Sequence, residues 1–155
     1  MMPFSLKPRT TSSTRPCGLS KQHRIPIGGM EAIPDLSGAL YLPDVRTLVA
    51  ADLHLEKASS LARRGAHLPP YDTRATLEQL VRVIAAAKPE RLVFLGDSFH
   101  DAEAGERIAP ADLGALRRLV ALQETIWIAG NHDPDPVLTG TVVAMALDMR
   151  LDYAR

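Results

Sequence analysis

Three short apolar runs, each ending in a polar turn, constrain this chain more than any other feature. Leu48-Val49-Ala50-Ala51 runs into Asp52-Leu53-His54, and Leu92-Val93-Phe94-Leu95 into Gly96-Asp97-Ser98-Phe99-His100-Asp101. Ile126-Trp127-Ile128-Ala129 runs into Gly130-Asn131-His132-Asp133. Runs this short, bounded by glycine and acidic residues, read as buried strands rather than helices. The stretches between them carry helical signals. One helix is expected from Glu56 to Arg64, stopping at Gly65. Pro69-Pro70 then enforces an extended loop. A second helix opens at Asp72 as its cap, repeats Leu77, Leu80, Val81 and Ile84 on one face, and ends near Lys88-Pro89. A third begins at Pro110 and turns Leu113, Leu116 and Val120 inward. Upstream, Ala39–Leu42 and Thr47–Ala51 read as two strands joined by a turn at Pro43-Asp44. Thr141 to Leu147 is one more candidate strand.

Strand, helices, strand, helix, strand over residues 47–129 is a βαβαβ succession. It predicts an α/β fold whose core is a parallel sheet with right-handed crossovers. Sites in such sheets form at the carboxyl ends of the strands. Each of the three turns sits there, so the topology gathers them at one edge. Taken singly, Asp-x-His and Gly-Asp are ordinary turn sequences, and Gly-Asn-His-Asp is a loop whose Asn tolerates positive φ. Their arrival in order at three strand ends is what points to a shared site.

Composition decides which chemistry that site can use. The chain has 155 residues, 46% of them apolar, which is enough for one core. No apolar run approaches the length of a membrane helix, and a cytoplasmic protein is the default expectation. A single cysteine, Cys17, excludes an internal disulfide framework and a cysteine-based zinc site. The ligating groups must therefore be oxygen and imidazole. The net charge of zero hides an asymmetry. Residues 1–30 hold Lys7, Arg9, Arg15, Lys21 and Arg24 and no acid, so the remaining thirteen Lys and Arg face all eighteen acids. Residues 1–24 read as a disordered basic arm with the Arg- and Ser-rich, acid-free character of a transit peptide, or as a tail without function. Residues 25–155 read as the folded domain.

Asp52, His54, Asp97 and Asn131 offer carboxylate, imidazole and amide oxygen, a set that suits Mn²⁺, Fe or Zn²⁺. Two neighbouring cations need a carboxylate between them, and Asp97, on the central turn, is the natural bridge. The glycines before Asp97 and Asn131 are expected to let the backbone come close to the ions. His132, beside Asn131, is placed to donate a proton or to stabilise charge on phosphate, with Asp133 orienting its ring. His100 could reach phosphate or metal, or could merely pack in its own turn. Arg63, Arg64 and Arg74 could contact a phosphodiester backbone, or be a solvated helix face. His67 reads as solvated.

At these residues the sequence resembles the calcineurin-like metallophosphoesterase superfamily, whose blocks are D-x-H, G-D-x-x and G-N-H-D/E. The resemblance is closest to the bacterial ligase-associated DNA damage response endonucleases. It is carried by Ala51–Lys57, by Arg64–Arg74 and by Gly96–Asp101, and it covers roughly residues 25–135. It implies an αββα sandwich of which this chain supplies the N-terminal half. It implies two divalent metal ions, Mn²⁺ before Fe or Zn²⁺. Asp52 and His54 would hold the first, Asp97 would bridge, Asn131 would hold the second, and His132 with Asp133 would be catalytic. His100, Arg64 and Arg74 would face substrate. The implied activity is hydrolysis of phosphodiesters, as a DNA endonuclease in a repair set with a ligase and a helicase. A nucleotide or phosphomonoester phosphatase is the alternative. The superfamily also has a lone His and a G-H-x-H block downstream, and no histidine follows His132. The domain is therefore expected to be incomplete at its C-terminal end, to bind metal weakly and to leave one sheet face uncovered. A non-catalytic metal- or phosphate-binding fragment is the corresponding alternative. An ordinary βαβ binding module is a further one, although the chain has neither a G-x-G-x-x-G nor a P-loop to recommend it.

Overall fold

A computed structural model describes residues 23–66, 69 and 71–133. The arm, apart from His23 and Arg24, lies outside the described residues, as do His67 and the candidate strand at Thr141–Leu147. Six strands form one mixed sheet in chain order: β1 (Ile25–Ile27), β2 (Met30–Pro34), β3 (Leu40–Leu42), β4 (Thr47–Ala50), β5 (Arg91–Leu95) and β6 (Glu124–Ile128). The helices are α1 (Lys57–Arg63), α2 (Asp72–Ala87), the single turn α3 (Ala104–Arg107) and α4 (Pro110–Val120).

β4, β5 and β6 pair in parallel, Val49 opposite Val93 and Val93 opposite Ile126. This is the expected βαβαβ core, with α1 and α2 in the first crossover and α3 and α4 in the second. β1 to β4 form an antiparallel meander before it, which makes the whole sheet mixed rather than parallel. The β1–β2 hairpin was not anticipated. Its signal is Gly28-Gly29, both at positive φ (55° and 82°), which a two-residue hairpin turn demands.

Alternation along the strands sets the core. Tyr41, Leu48, Ala50, Leu92, Phe94 and Trp127 turn to one face and meet Leu77, Leu80, Val83 and Ala87 of α2 and Leu116 and Leu119 of α4. Phe94 and Trp127 stack with ring centroids 4.2 Å apart across the β5–β6 pair. The buried stripe of α2 includes Val83 and Ala87, while Val81, expected inside, is 52% exposed. Asp72 does not cap α2. It is the helix's first residue, and its carboxylate accepts the Ala58 N–H of α1 at 2.7 Å, satisfying a free donor of the neighbouring helix.

The opposite face of β3–β6 carries Leu40, Leu42, Val49, Val93, Leu95, Ile126 and Ile128, and no apolar residue among them is buried. Leu95 is 48% exposed. Parallel strands are ordinarily covered on both faces; among the described residues this face is only partly covered. No helix there is long and apolar enough to cross a membrane.

Phe94 is central to the covered face and 1% exposed. Phe94→Ala is expected to cost about 3–5 kcal/mol, read as a lowered midpoint in urea with an unchanged slope.

Candidate metal centre

The backbone brings the three turns together before any side chain is considered. Beyond β4 the chain leaves the ladder but stays zipped to the segment beyond β5. The His54 N–H donates to the Asp97 carbonyl, the Leu55 N–H to the Ser98 carbonyl and the His100 N–H to the Leu55 carbonyl, each at 2.9 Å. Leu55 and Phe99 form an isolated parallel bridge, and both are buried. Along this zip Asp52, His54 and Glu56 alternate in the left-handed region (φ 53°, 45° and 67°), and Asp97 joins them at 48°. Asp and His tolerate that region better than most residues, at a cost of order 1 kcal/mol or more each. The bridge on one side and a buried network on the other hold them there. The Glu56 carboxylate, 7% exposed, accepts from the Thr73 hydroxyl (2.8 Å) and the Ser59 hydroxyl (2.6 Å). Thr73 in turn accepts the Glu56 N–H at 2.9 Å.

The third turn docks through two glycines. A Cβ on Gly96 would lie 3.1 Å from the Gly130 Cα, and one on Gly130 would lie 2.1 Å from Asp97 Oδ1. The expected close approach of these glycines is real, but it is an approach of the turns to each other. Gly130 is glycine because the Asp97 side chain occupies the place of its Cβ. The His132 N–H then donates to Asp97 Oδ1 at 3.0 Å.

Asp133 fastens the same contact. Its carboxylate, in a residue 6% exposed, accepts the Gly130 N–H at 3.0 Å, the Ser98 N–H at 2.8 Å and the Phe99 N–H at 3.1 Å. It does not orient the His132 ring, as the sequence had suggested, because its oxygens are committed to these amides. The His132 ring is steered by the His100 carbonyl, 2.9 Å from Nδ1. A carbonyl only accepts, so Nδ1 carries the proton and Nε2 is left for other chemistry.

The side chains converge accordingly. Asp52, His54 and Asp97 place one ligand atom each within 4.8 Å of the others, and so do His54, His100 and His132. His54 belongs to both groups. The three rings lie 5.0 to 5.5 Å apart between centroids. Asn131 sits between Gly130 and His132, the two residues that touch Asp97. The structure thus brings together the four expected ligands' turns and adds His100, which takes a full place in the imidazole triangle. Burial, and then the charges of His54 and His132, hold His100 below its ordinary pKa, which favours the neutral ring that metals bind.

Two buried ring nitrogens, His54 Nδ1 and His100 Nδ1, have no hydrogen-bond partner among the described residues. Buried polar atoms are rarely left so. Orphaned imidazole nitrogens beside two carboxylates fit a divalent cation of the Mn²⁺, Fe or Zn²⁺ type.

The arginines divide. Arg74 is engaged with Asp112 at 3.1 Å, tying α2 to α4, and is not among the groups gathered at the turns. Arg64, the C-terminal cap of α1, is exposed beside the Asp101–Arg107 segment. Arg107 grips Asp101 with two hydrogen bonds, at 2.7 and 2.8 Å. Burial alone would raise the Asp101 pKa, but the bonds from Arg107 and Ser60 and the Arg107 charge outweigh it and hold the carboxyl below its ordinary 3.8.

The calcineurin-like phosphoesterase family model matches residues 45–152. The chain belongs to that family, whose members are hydrolases of phosphate esters. Among solved structures it is similar to the Pseudomonas putida nuclease MPE, at 31% identity and a TM-score of 0.60. The alignment covers 78% of this chain and 58% of the nuclease, so the chain spans less than two thirds of that protein's length. The mixed sheet and its helices are a partial metallophosphoesterase domain. No curated protein matches the chain.

Two outcomes follow from the buried carboxylate and from the ion pair. Asp133→Asn should destabilise the fold by about 1–3 kcal/mol, because it leaves buried amide donors poorly paired, whereas His132→Asn, at an exposed position, should stay within about 0.5 kcal/mol; urea unfolding measures both. Asp101, with its lowered pKa, stabilises the fold fully above the unfolded value near 3.8 and loses that contribution as pH falls through the lower folded value. Stability measured against pH should therefore fall less steeply below pH 3.8 in Asp101→Asn than in the wild type.

Proposed function

We propose that this chain is a two-metal phosphodiesterase acting on DNA strands, with Mn²⁺ the preferred cation. The observation that carries the reading is the convergence of Asp52, His54 and Asp97 within 4.8 Å, sharing His54 with a second cluster of His100 and His132. Family membership supports phosphoester hydrolysis, and the nuclease neighbour supports a nucleic-acid substrate.

Asp52 and His54 would hold one cation, Asn131 the other, and Asp97 would bridge. Bound there, the metals would activate water and neutralise phosphate charge. The chain's own groups do the rest. His132, with its Nδ1–H held by the His100 carbonyl, presents Nε2 outward; as the imidazolium, with a second proton on Nε2, it would donate that proton to a leaving oxygen or stabilise charge on phosphate. Asp133 positions this machinery through the backbone it clamps. His100 contributes a third imidazole toward metal or phosphate. The similarity of Ala51–Lys57, Arg64–Arg74 and Gly96–Asp101 to the ligase-associated endonucleases supports a setting in DNA repair, in the cytoplasm, beside a ligase and a helicase.

A second reading rests on the donor count. Two cations of this type take about five or six donors each, and the described side chains gathered here are Asp52, His54, Asp97, His100 and His132, with Asn131 adjoining His132 in the third turn. A metal- or phosphate-binding domain with slow or no turnover follows if water cannot complete the shells.

Mn²⁺-stimulated hydrolysis of bis(p-nitrophenyl) phosphate is expected to exceed that of the monoester, and Asp97→Asn should lower it by at least about 100-fold, beyond the loss usual for outer partners of ligands. Equal turnover in wild type and Asp97→Asn would overturn the two-metal assignment. Metal binding without hydrolysis would select the second reading, and a faster monoester would select the phosphatase.

A further inference from the structure

Beside the metal centre lies a pocket of about 410 Å³, between the C-terminal end of α1 and the segment from Asp101 to Arg107. Its polar lining is Ser60, Arg63, Arg64, Asp101, Glu103 and Arg107. It starts one residue beyond His100, whose ring faces those of His54 and His132 at 5.5 and 5.4 Å.

The pocket is built rather than fortuitous. The Arg107 side chain is 11% exposed, an unusual state for a guanidinium, and is fixed by both Asp101 oxygens and by the Ser59 hydroxyl at 3.1 Å. Arg63 pairs with Glu103, which also stands 3.8 Å from Arg107. Both acids of the lining are thereby neutralised, and Arg64, which has no ion pair among the described residues, is the charge in excess. Lys57 extends the positive surface. It lies seven residues before Arg64, so on the same side of α1 and about 10 Å away along the axis.

We propose that this pocket, with Arg64 as its free cation and Lys57 outside it at the other end of α1, binds the backbone phosphates that flank the cleaved bond, which makes the substrate a polynucleotide strand rather than a mononucleotide. The inference rests on the phosphodiesterase reading and sharpens it. Two cations about 10 Å apart along α1 can meet more than one phosphate of a strand. A mononucleotide whose single phosphate sits at the metals has none left for them. Arginine suits this task because its planar fork matches phosphate oxygens, and contacts of this kind position a strand without reading its sequence.

The test is titration of a labelled single-stranded oligonucleotide into the full chain in EDTA, followed by anisotropy at several salt concentrations. Arg64→Ala should weaken binding about fivefold and reduce the slope of log affinity against log salt by about 0.7, the loss of one phosphate contact. Arg64→Lys should recover most of both. Arg82→Ala, whose exposed guanidinium meets only Glu78 on α2, should change neither. Unchanged affinity in Arg64→Ala, or an equal loss in Arg82→Ala, overturns the pocket. Bis(p-nitrophenyl) phosphate hydrolysis is read in parallel. Its absence in the wild type, with the Arg64 effect on binding intact, would sink the proposed reaction and leave the phosphate pocket standing.

Discussion

The contact between Gly96 and Gly130 is the constraint on which the rest of the site depends. Two strand ends in a parallel sheet are held apart by the spacing of their ladder. The turns that follow can meet only if nothing projects between them. With a hydrogen in place of each side chain, the Asp97 carboxylate fits where a Gly130 Cβ would stand, and His132 can donate its N–H to the same oxygen. Asp133 completes the joint from below by accepting amides from both turns. The candidate ligands and their support are therefore one structure: the Asp97 carboxylate, proposed as the bridge between cations, also fixes the third turn.

The first turn is held differently. Its left-handed residues alternate with Leu53 and Leu55, which pack into or against the core. The strain is spread over Asp52, His54 and Glu56 and offset by the Leu55–Phe99 bridge and by the buried Glu56–Thr73 pair. α1 and α2 thus do more than cover the sheet. Through Thr73 and Asp72 they pin the segment that carries Asp52 and His54.

Much of this was legible in the residues. β5 covers the expected run, β4 stops one residue short at Ala50, and β6 begins earlier than its run and ends one residue before Ala129, because apolar composition marks parallel strands plainly. The three polar turns were legible as one site because topology alone gathers them. What escaped was what depends on tertiary partners. The Gly28-Gly29 hairpin carries a local signal, but its strands are short and exposed, so periodicity is silent. Val81 follows the helical period yet faces outward, because the stripe drifts toward Val83 and Ala87 along α2. Asp72 has the chemistry of a cap but serves another helix. The sequence offers Asp133 as a partner for its neighbour's ring, since nothing local shows that two amides thirty-odd residues away claim one of its oxygens while the Gly130 amide takes the other. His100 could be read either way, and only the distance to His54 and His132 decides it.

The strand order has a consequence for how such a chain is made. Among the described residues every strand of the sheet pairs with its neighbour in sequence, so a nascent polypeptide can accrete this part of the sheet from its first hairpin outward as it leaves the ribosome. The corner that gathers the three turns closes only when the loop after β6 arrives and locks onto an already formed platform. Until that moment the growing product has a scaffold without its assembled corner.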